Sequence, residues 1–145
     1  MFTNKIALVT GGARGIGEAI VRVLARDGAN VVIGDINQNG SQKVGKSLEN
    51  PEAHLPVSID VSKRDSVMNV MKVVHDKYSK PPQIVVNAAG IIKPKTISKM
   101  SDDMFDKIIE INLKGTYLVN QITANAMKES NLKGCIINIS SLAGT

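Results

Sequence analysis

The sequence predicts an α/β fold in which a doubly wound sheet of parallel strands carries helices on both faces. Short apolar runs alternate with segments of helical periodicity along the 145 residues, and strands that alternate with helices pair in parallel through right-handed crossovers. A glycine-rich turn also separates the first strand from the first helix. We therefore expect one domain over 1–145, with its functional side chains at the carboxyl ends of the strands.

The first two strands flank a helix. An apolar run over 5–10 predicts a strand buried on both faces, and the glycines after it begin a tight turn. Apolar residues then recur at helical spacing up to Gly28, a residue type that often follows a helix end. A second apolar run over 30–34 predicts a strand that ends at Asp35. A modest helix over 38–48 is expected next.

The same alternation continues in the second half. The pattern predicts a third strand, a helix and a fourth strand over 54–60, 64–78 and 84–87. Pro81 and Pro82 end that helix and lead into the strand. Ser101, followed by two aspartates, is a favourable helix start. Helical spacing then continues to about residue 128, before a fifth strand over 135–140.

The composition is that of a folded, water-soluble domain. Hydrophobic residues make up 43% and charged residues 21% of the chain, which excludes a disordered tail, and no apolar run is long enough to span a bilayer. The net charge of +5 comes from scattered lysines, and only two tyrosines and two phenylalanines could stack on bases. Neither nucleic acid nor a membrane is therefore expected as a partner.

Cysteine and histidine usage excludes two kinds of site. The single cysteine, Cys135, rules out a disulfide framework and favours a reducing compartment. Its apolar neighbours predict that it packs in the core. His54 and His75 have polar neighbours, with no cysteine or paired acid at the spacing of metal ligands. No metal site is expected.

The glycine-rich turn has the spacing Thr-Gly-x-x-x-Gly-x-Gly, beginning at Thr10. Turns need glycine in any case, but here a strand precedes, a helix follows and an acid ends the next strand. Missing side chains let a pyrophosphate approach, while free backbone N–H groups and the helix dipole attract it. We therefore predict a dinucleotide site. The residues predicted to bind it in this turn are Gly11, Arg14, Gly15, Ile16 and Gly17.

Asp35 is the acid at the end of the second strand. It lies 18 residues beyond Gly17, close to the roughly 20 expected of a carboxylate that accepts hydrogen bonds from the adenosine ribose. Because a carboxylate repels a 2′-phosphate, NAD(H) is expected in preference to NADP(H). Arg14 favours NADP(H) instead, since a guanidinium can pair with that phosphate. The alternative is that Asp35 only caps a loop.

Two polar residues are candidates for chemistry. Asn112 follows Ile108 by four residues on an expected apolar face, where an unpaired amide costs on the order of a few kcal/mol. It therefore has either a structural hydrogen bond to a neighbouring loop or a function. Ser141 follows the last strand without a glycine-serine-glycine elbow. Its hydroxyl is predicted to polarise a carbonyl rather than to act as a nucleophile.

Taken together, these motifs resemble the short-chain dehydrogenase/reductase family across the whole chain. The matching segments are 10–17, 60–61, 87–90, 112 and 137–141. The resemblance implies a Rossmann-type fold and hydride transfer between NAD(H) and a secondary alcohol or ketone. Within the family, further segments resemble 17-beta-hydroxysteroid dehydrogenases of type 8, namely 80–82, 100–103, 106–109, 112–116 and 136–141.

The resemblance also implies roles for particular residues. The cofactor-binding residues that it implies beyond Asp35 are Asp60, Val61, Asn87, Ala88 and Gly90. The first two would flank the adenine, and Asn87 would contact the cofactor ribose and stabilise the sheet. Asn112 would anchor a proton-relay water. Ser141 would stabilise the substrate carbonyl.

Substrate and location are implied only by the narrower resemblance. Type 8 enzymes oxidise estradiol with NAD and form the NADH-binding subunit of a mitochondrial 3-oxoacyl-(acyl-carrier-protein) reductase. The implied substrates are therefore a steroid alcohol or a fatty acyl thioester on an acidic carrier protein. A homo- or hetero-tetramer is implied for the complete protein, in the mitochondrial matrix, with the cytoplasm as the alternative.

One part of the family pattern lies outside the 145 residues. The family's catalytic tyrosine, with a lysine four residues later, is expected beyond Thr145, because Tyr78 has Pro82 and Tyr117 has Gln121 at that spacing. We therefore expect a C-terminally incomplete domain, truncated after about five strands, that is inactive alone and leaves an unprotected apolar edge. Two hypotheses about its function follow. The chain is either part of an enzyme that is completed by further sequence, or a catalytically dead NAD-binding module that pairs with full-length subunits.

Overall fold

The computed structural model describes residues 1–141, which form a parallel sheet with helices on both faces. The strands are β1 (Ile6–Thr10), β2 (Asn30–Asp35), β3 (Leu55–Ser58), β4 (Ile84–Asn87) and β5 (Cys135–Asn138). Their order across the sheet is β3-β2-β1-β4-β5. The direction of winding reverses between β1 and β4, where open α/β sheets bind ligands. The predicted Rossmann-type α/β class is confirmed.

The helices connect consecutive strands. They are α1 (Gly15–Arg26), α2 (Gln38–Lys46), α3 (Arg64–Tyr78), α4 (Asp102–Ile108) and α5 (Thr116–Glu129). A π-helical segment, Ile109–Gly115, joins α4 to α5, so the helix predicted over 102–128 contains a bulge. None of the helices within residues 1–141 has the length and apolar character needed to cross a membrane.

Alternate residues of the central strands β1, β2 and β4 enter two separate cores. Leu8 of β1 packs with Val67 of α3 and Val119 of α5. Its neighbour Val9 points to the other face and packs with Val21 of α1. Because both faces of the central strands are covered, those strands are continuously apolar, as parallel strands usually are.

Several predicted boundaries differ from those observed, and the fifth strand ends at Asn138 rather than at residue 140. The second helix ends at Lys46 rather than near residue 48, because the Ser47 N–H and hydroxyl both donate to the Val44 carbonyl, at 3.0 and 2.7 Å. The third strand covers Leu55–Ser58 rather than 54–60. A 3-10 turn, Pro51–Ala53, immediately precedes it and delays its start.

The prediction that Cys135 packs in the core is wrong. Cys135 is exposed, as are Ile137 (44%) and Ile139 (42%), which alternate with it along the chain. Between these side chains and α1, the described residues leave an open cavity of about 530 Å³. An apolar sequence predicts burial only where another element covers it, and β5 is one of the two outer strands.

The expectation that His54 lies in polar surroundings is also wrong. Its side chain is 5% exposed. Nδ1 accepts a hydrogen bond from the Val31 N–H at 3.1 Å, and Nε2 lies 3.1 Å from the Glu49 carbonyl oxygen. Burial lowers the pKa of His54. Because Nδ1 accepts a hydrogen bond, His54 is a structural link at the amino end of β2, and Asp35 lies at the other end of that strand.

Candidate cofactor site and catalytic residues

The glycine-rich turn lies between β1 and α1. Gly11 and Gly15 have φ values of +69° and +56°, in the left-handed region that glycine adopts without strain. A Cβ on Gly17 would collide with the Gly11 carbonyl oxygen, and one on Gly11 would lie 2.8 Å from the Ala88 carbonyl oxygen. The turn therefore packs tightly on itself and on the chain that follows β4.

The amino end of α1 has amide groups available to an anion. Its N-cap, Arg14, makes no side-chain capping hydrogen bond, and Glu18 N–H donates to the Arg14 carbonyl at 3.2 Å. The N–H groups of the first turn have no partner within the helix, and the helix dipole adds positive potential there. This end of α1 therefore fits a pyrophosphate. The residues that supply these N–H groups are Gly15, Ile16 and Gly17.

Asp35 ends β2 and is tied to the glycine-rich turn. Its Oδ2 accepts from the Ala13 N–H at 3.1 Å, and its Oδ1 accepts from the Asn37 N–H at 2.9 Å. The second bond is the loop cap that the sequence left open as an alternative. The side chain remains partly exposed, and each carboxylate oxygen has further lone pairs. Asp35 can therefore cap its loop and accept hydroxyl donors at the same time.

Asp60 and Val61 lie beyond β3, the neighbour of β2. Oδ1 of Asp60 accepts from the N–H and the hydroxyl of Ser62, at 3.0 and 2.7 Å, and the Asp60 N–H donates to the Ser66 hydroxyl at 2.9 Å. Val61 is buried, and a Cβ on Gly115 would lie 2.6 Å from it. Local hydrogen bonds thus hold the loop, and Val61 anchors it to the end of the π-helical segment.

Asn87 ends β4, and two other asparagines hold its side chain. Its Nδ2 donates to Oδ1 of Asn120 at 2.6 Å and to Oδ1 of Asn138 at 2.9 Å. Asn120 Nδ2 also donates to Asn138 Oδ1, at 3.2 Å. Within residues 1–141, Oδ1 of Asn87 is a buried side-chain oxygen without a hydrogen-bond partner. Asn120 was not among the residues predicted from the sequence, where its only signal is a polar side chain eight residues after Asn112.

Asn112 lies in the middle of the π-helical segment and pairs with the chain after β4. Its Oδ1 accepts from the Ile91 N–H, and its Nδ2 donates to the Ile91 carbonyl, both at 2.9 Å. The Thr116 hydroxyl donates to the Asn112 carbonyl at 2.9 Å. This is the structural hydrogen bond to a neighbouring loop that was one of the two alternatives.

The expectation that Asn112 sits on a buried apolar face is wrong. Its side chain is exposed, and so are those of Phe105 (55%) and Leu113 (63%) on the same long helix. The π-helical segment adds a residue to its turn, which rotates the following side chains out of the simple helical register. The apolar pattern of this helix therefore does not correspond to one buried stripe.

The chain after β4 is held against β1 and the π-helical segment. The Ala88 N–H donates to the Thr10 carbonyl, and the Ala89 N–H donates to the Thr10 hydroxyl, both at 3.3 Å. A Cβ on Gly90 would lie 3.4 Å from Asn112 Oδ1. These contacts bring three parts of the chain together at the carboxyl ends of the strands: the glycine-rich turn, Asn87 to Gly90, and Asn112.

Ser141 is the last residue that the structure describes, and its side chain is exposed. It lies three residues beyond the end of β5. The Ile139 N–H donates to the Asn87 carbonyl at 2.9 Å, so the chain leading to Ser141 stays beside the end of β4. Ser141 thus follows a strand end adjacent to the predicted cofactor residues.

The chain is similar to several known proteins. It is 37% identical to the (3R)-3-hydroxyacyl-CoA dehydrogenase of Homo sapiens, over 97% of this chain and 57% of that protein. It is 35% identical to the 3-oxoacyl-(acyl-carrier-protein) reductase FabG of Thermotoga maritima, over 97% of this chain and 57% of that protein. The crystal structure of gox2181 superposes with a TM-score of 0.91 at 34% identity, over 98% of this chain and 55% of that chain.

These relatives are longer than the chain, which spans 57% of the curated human and Thermotoga proteins. By their names they act on acyl-CoA or acyl-carrier-protein substrates. The family model of short chain dehydrogenases matches residues 5–145, and that family typically binds nicotinamide cofactors. With its motifs and its fold in agreement, the chain belongs to the short chain dehydrogenase family.

Proposed function

We propose that this chain is the cofactor-binding portion of an oxidoreductase that transfers a hydride between NAD(H) and a secondary alcohol or ketone. The observation that carries the proposal is the pairing of Asp35 with the glycine-rich turn, through Oδ2 and the Ala13 N–H at 3.1 Å. One edge of the sheet thereby offers amides to a pyrophosphate and a carboxylate to ribose hydroxyls. The family's general use of nicotinamide cofactors supports it.

The cofactor would lie across the ends of four neighbouring strands. When bound, it supplies or accepts the hydride at its nicotinamide ring. The chain's own residues bind and orient it: the amino end of α1 would hold the pyrophosphate, and Asp60 and Val61 would flank the adenine. The proposed contacts are Gly11, Arg14, Gly15, Ile16, Gly17, Asp35, Asp60, Val61, Asn87, Ala88 and Gly90.

The balance of charge favours NAD(H) over NADP(H). A 2′-phosphate placed about 4 Å from the Asp35 carboxylate meets a repulsion of up to about 4 kcal/mol at a protein-surface dielectric. Arg14 is exposed, and an exposed ion pair returns only about 0–1 kcal/mol. Asp35 is held in place by two hydrogen bonds, whereas the exposed Arg14 would have to be ordered to reach the phosphate, so we propose NAD(H) as the preferred cofactor.

Asn112 and Ser141 are the proposed catalytic residues. Asn112 would anchor a proton-relay water, since its amide retains a second hydrogen after bonding to Ile91. Ser141 would donate its hydroxyl hydrogen to the substrate carbonyl and so stabilise developing negative charge. The general acid and its lysine neighbour would come from further sequence.

We propose that neither Tyr78 nor Tyr117 supplies that general acid. The Tyr78 hydroxyl donates to the Ala53 carbonyl at 2.8 Å, and burial raises the pKa of Tyr78 to about 12. Tyr117 has Gln121 rather than a lysine four residues later, and its hydroxyl accepts from that Gln121 at 2.7 Å. A proton donor that titrates far above neutral pH is poorly matched to catalysis there.

The relatives' names support a thioester substrate. They act on hydroxyacyl-CoA or oxoacyl carrier-protein compounds, so we propose a 3-hydroxyacyl or 3-oxoacyl thioester, with a steroid alcohol as the second choice. For the complete protein we propose a homo- or hetero-tetramer in the mitochondrial matrix, with the cytoplasm as the alternative.

A second candidate function is a catalytically dead NAD-binding module that pairs with full-length subunits. It is favoured by the exposed apolar side chains of the helix over 102–129, among them Phe105 (55%) and Leu113 (63%). Beside that helix, an open cavity of about 560 Å³ lies between α5 and β5. Both features offer surface to a second subunit.

Titration of the 145-residue protein with NADH and NADPH, followed by nicotinamide fluorescence, tests the primary proposal. We expect tighter binding of NADH, and we expect Asp35→Ala to weaken NADH binding while it improves NADPH binding. Asp76→Ala removes an exposed carboxylate from α3 and serves as the matched control, which leaves both affinities unchanged. Equal affinities for the two cofactors, or an Asp35→Ala variant that behaves like the control, would contradict the proposal.

A further inference from the structure

Three asparagine side chains, which we call the asparagine cluster, join three elements beneath the strand ends. They are Asn87 of β4, Asn120 of α5 and Asn138 of β5, linked by hydrogen bonds of 2.6, 2.9 and 3.2 Å. Asn87 is buried, with 4% of its surface exposed. Because each of the three amides is hydrogen-bonded to the other two, none of them can rotate freely.

The cluster determines what the Asn87 amide can still do. A side-chain amide has two N–H hydrogens and one carbonyl oxygen. Both nitrogen hydrogens of Asn87 are directed at the other two asparagines. What is left is the buried oxygen, which has no partner within residues 1–141. Asn87 is therefore restricted to accepting a hydrogen bond, and a hydroxyl is a suitable donor.

We propose that Asn120 is a positioning residue, which together with Asn138 fixes the Asn87 amide so that its oxygen accepts a hydroxyl of the cofactor ribose. The inference rests on the proposed function, because it deepens the contact between Asn87 and the cofactor. An amide without this restraint can turn over and present its N–H groups instead. Asn120 prevents that rotation by accepting one hydrogen of Asn87 and donating to Asn138.

The same cluster links the strand end to both proposed catalytic residues. Asn120 lies eight residues beyond Asn112 on the same long helix. Asn138 ends β5 three residues before Ser141, and the N–H of the following residue, Ile139, donates to the Asn87 carbonyl at 2.9 Å. Loss of the cluster would therefore loosen the ends of β4 and β5 relative to the helix that carries Asn112.

Nuclear magnetic resonance of the ¹⁵N-labelled 145-residue protein tests the restraint without any cofactor. In Asn120→Ala, we expect the side-chain NH₂ signals of Asn87 to shift and their hydrogens to exchange about two- to tenfold faster, as fits the loss of one hydrogen bond. The Ile139 amide is expected to lose protection as well. Asn125→Ala changes an exposed asparagine of the same helix and leaves these signals as they are.

A conservative variant separates positioning from general loss of packing. Asn120→Asp keeps an oxygen that can accept from Asn87, so we expect it to retain more of the Asn87 protection than Asn120→Ala does. Thermal unfolding of each variant shows that the comparison is made on folded protein. If both Asn120 variants left the Asn87 signals unchanged, the inference would be overturned.

Titration with NADH distinguishes this inference from the proposed function. We expect wild-type protein to bind NADH and folded Asn120→Ala to bind it several-fold more weakly. Equal binding by the two would overturn the claim that the cluster prepares Asn87 for the cofactor. Failure of the wild-type protein to bind NADH, with the resonance changes of Asn120→Ala present, would overturn the proposed function and support the restraint on Asn87.

Discussion

At the scale of single residues, hydrogen bonds to neighbouring groups hold Asp35 and Asn87 in fixed orientations at the strand ends. Two backbone N–H groups fix the Asp35 carboxylate, at 2.9 and 3.1 Å. Two asparagines fix the Asn87 amide. Both residues retain acceptor capacity, so the cofactor that we propose would meet oxygens that are already oriented. Such preparation reduces the ordering cost of binding.

His54 makes stability depend on pH. Burial lowers its pKa in the folded protein below the ordinary value of 6.5, so the unfolded chain binds a proton more readily than the folded one. The contribution of His54 is therefore present above pH 6.5 and is lost as pH falls through the lowered folded pKa. We expect the free energy of unfolding to be smaller near pH 5 than near pH 7.

Urea unfolding at several pH values measures this effect. His54→Asn, which cannot take up the proton, is expected to flatten the pH dependence below about pH 6.5. His75→Asn removes an exposed histidine from α3 and should leave the dependence as in the wild type. A pH dependence that survives in His54→Asn but disappears in His75→Asn would contradict the assignment.

Placements that depend on local spacing could be predicted from the sequence, whereas hydrogen bonds between distant residues could not. The glycine-rich turn and Asp35 follow from the order of strand, turn, helix and acid. Asn120 and His54 were missed because their partners lie 33 and 23 residues away along the chain. A polar side chain does not show in the sequence which distant atom it will meet.

At the scale of elements, the π-helical segment allows one long helix to serve two purposes. It places Asn112 opposite Ile91 with two hydrogen bonds of 2.9 Å, while α5 continues along the sheet and buries Val119. The helical periodicity predicted the start and end of this helix to within a residue or two. It did not predict the bulge, which depends on pairing between residues 21 positions apart.

Replacement of Asn112 tests this attachment. Asn112→Ala removes both bonds to Ile91, so we expect the Ile91 amide to exchange roughly tenfold faster with solvent, for a loss of about 1–1.5 kcal/mol. Hydrogen exchange followed by mass spectrometry or magnetic resonance measures it. Asn69→Ala, at an exposed position of α3, is the matched control. Unchanged exchange at Ile91 in Asn112→Ala would show that the loop is held by other contacts.

At the scale of the whole molecule, the sheet order brings the predicted residues to one edge, as the alternating pattern implied. What the pattern could not predict is which parts of β5 are covered. Burial depends on neighbours in space, and the outer strand leaves Cys135, Ile137 and Ile139 exposed. An uncharged, apolar outer strand tends to pair with other chains.

We expect the 145-residue protein to self-associate through β5. Ile137→Lys places a charge on the exposed side of the strand and is expected to shift the protein toward the monomer, because outer strands with charged residues resist pairing. Sedimentation velocity over a range of concentrations measures the shift. Met68→Lys changes an equally exposed residue of α3 (45%) and serves as control. A concentration-independent monomer in the wild type would contradict the expectation.

The ratio of the NADPH and NADH dissociation constants of the folded 145-residue protein tests the central claim most directly. If Asp35 and the amino end of α1 form a working NAD(H) site, NADH binds at least about tenfold more tightly, which corresponds to about 1.4 kcal/mol. Binding of NADPH as tight as that of NADH, or no binding of either cofactor by folded protein, would contradict it.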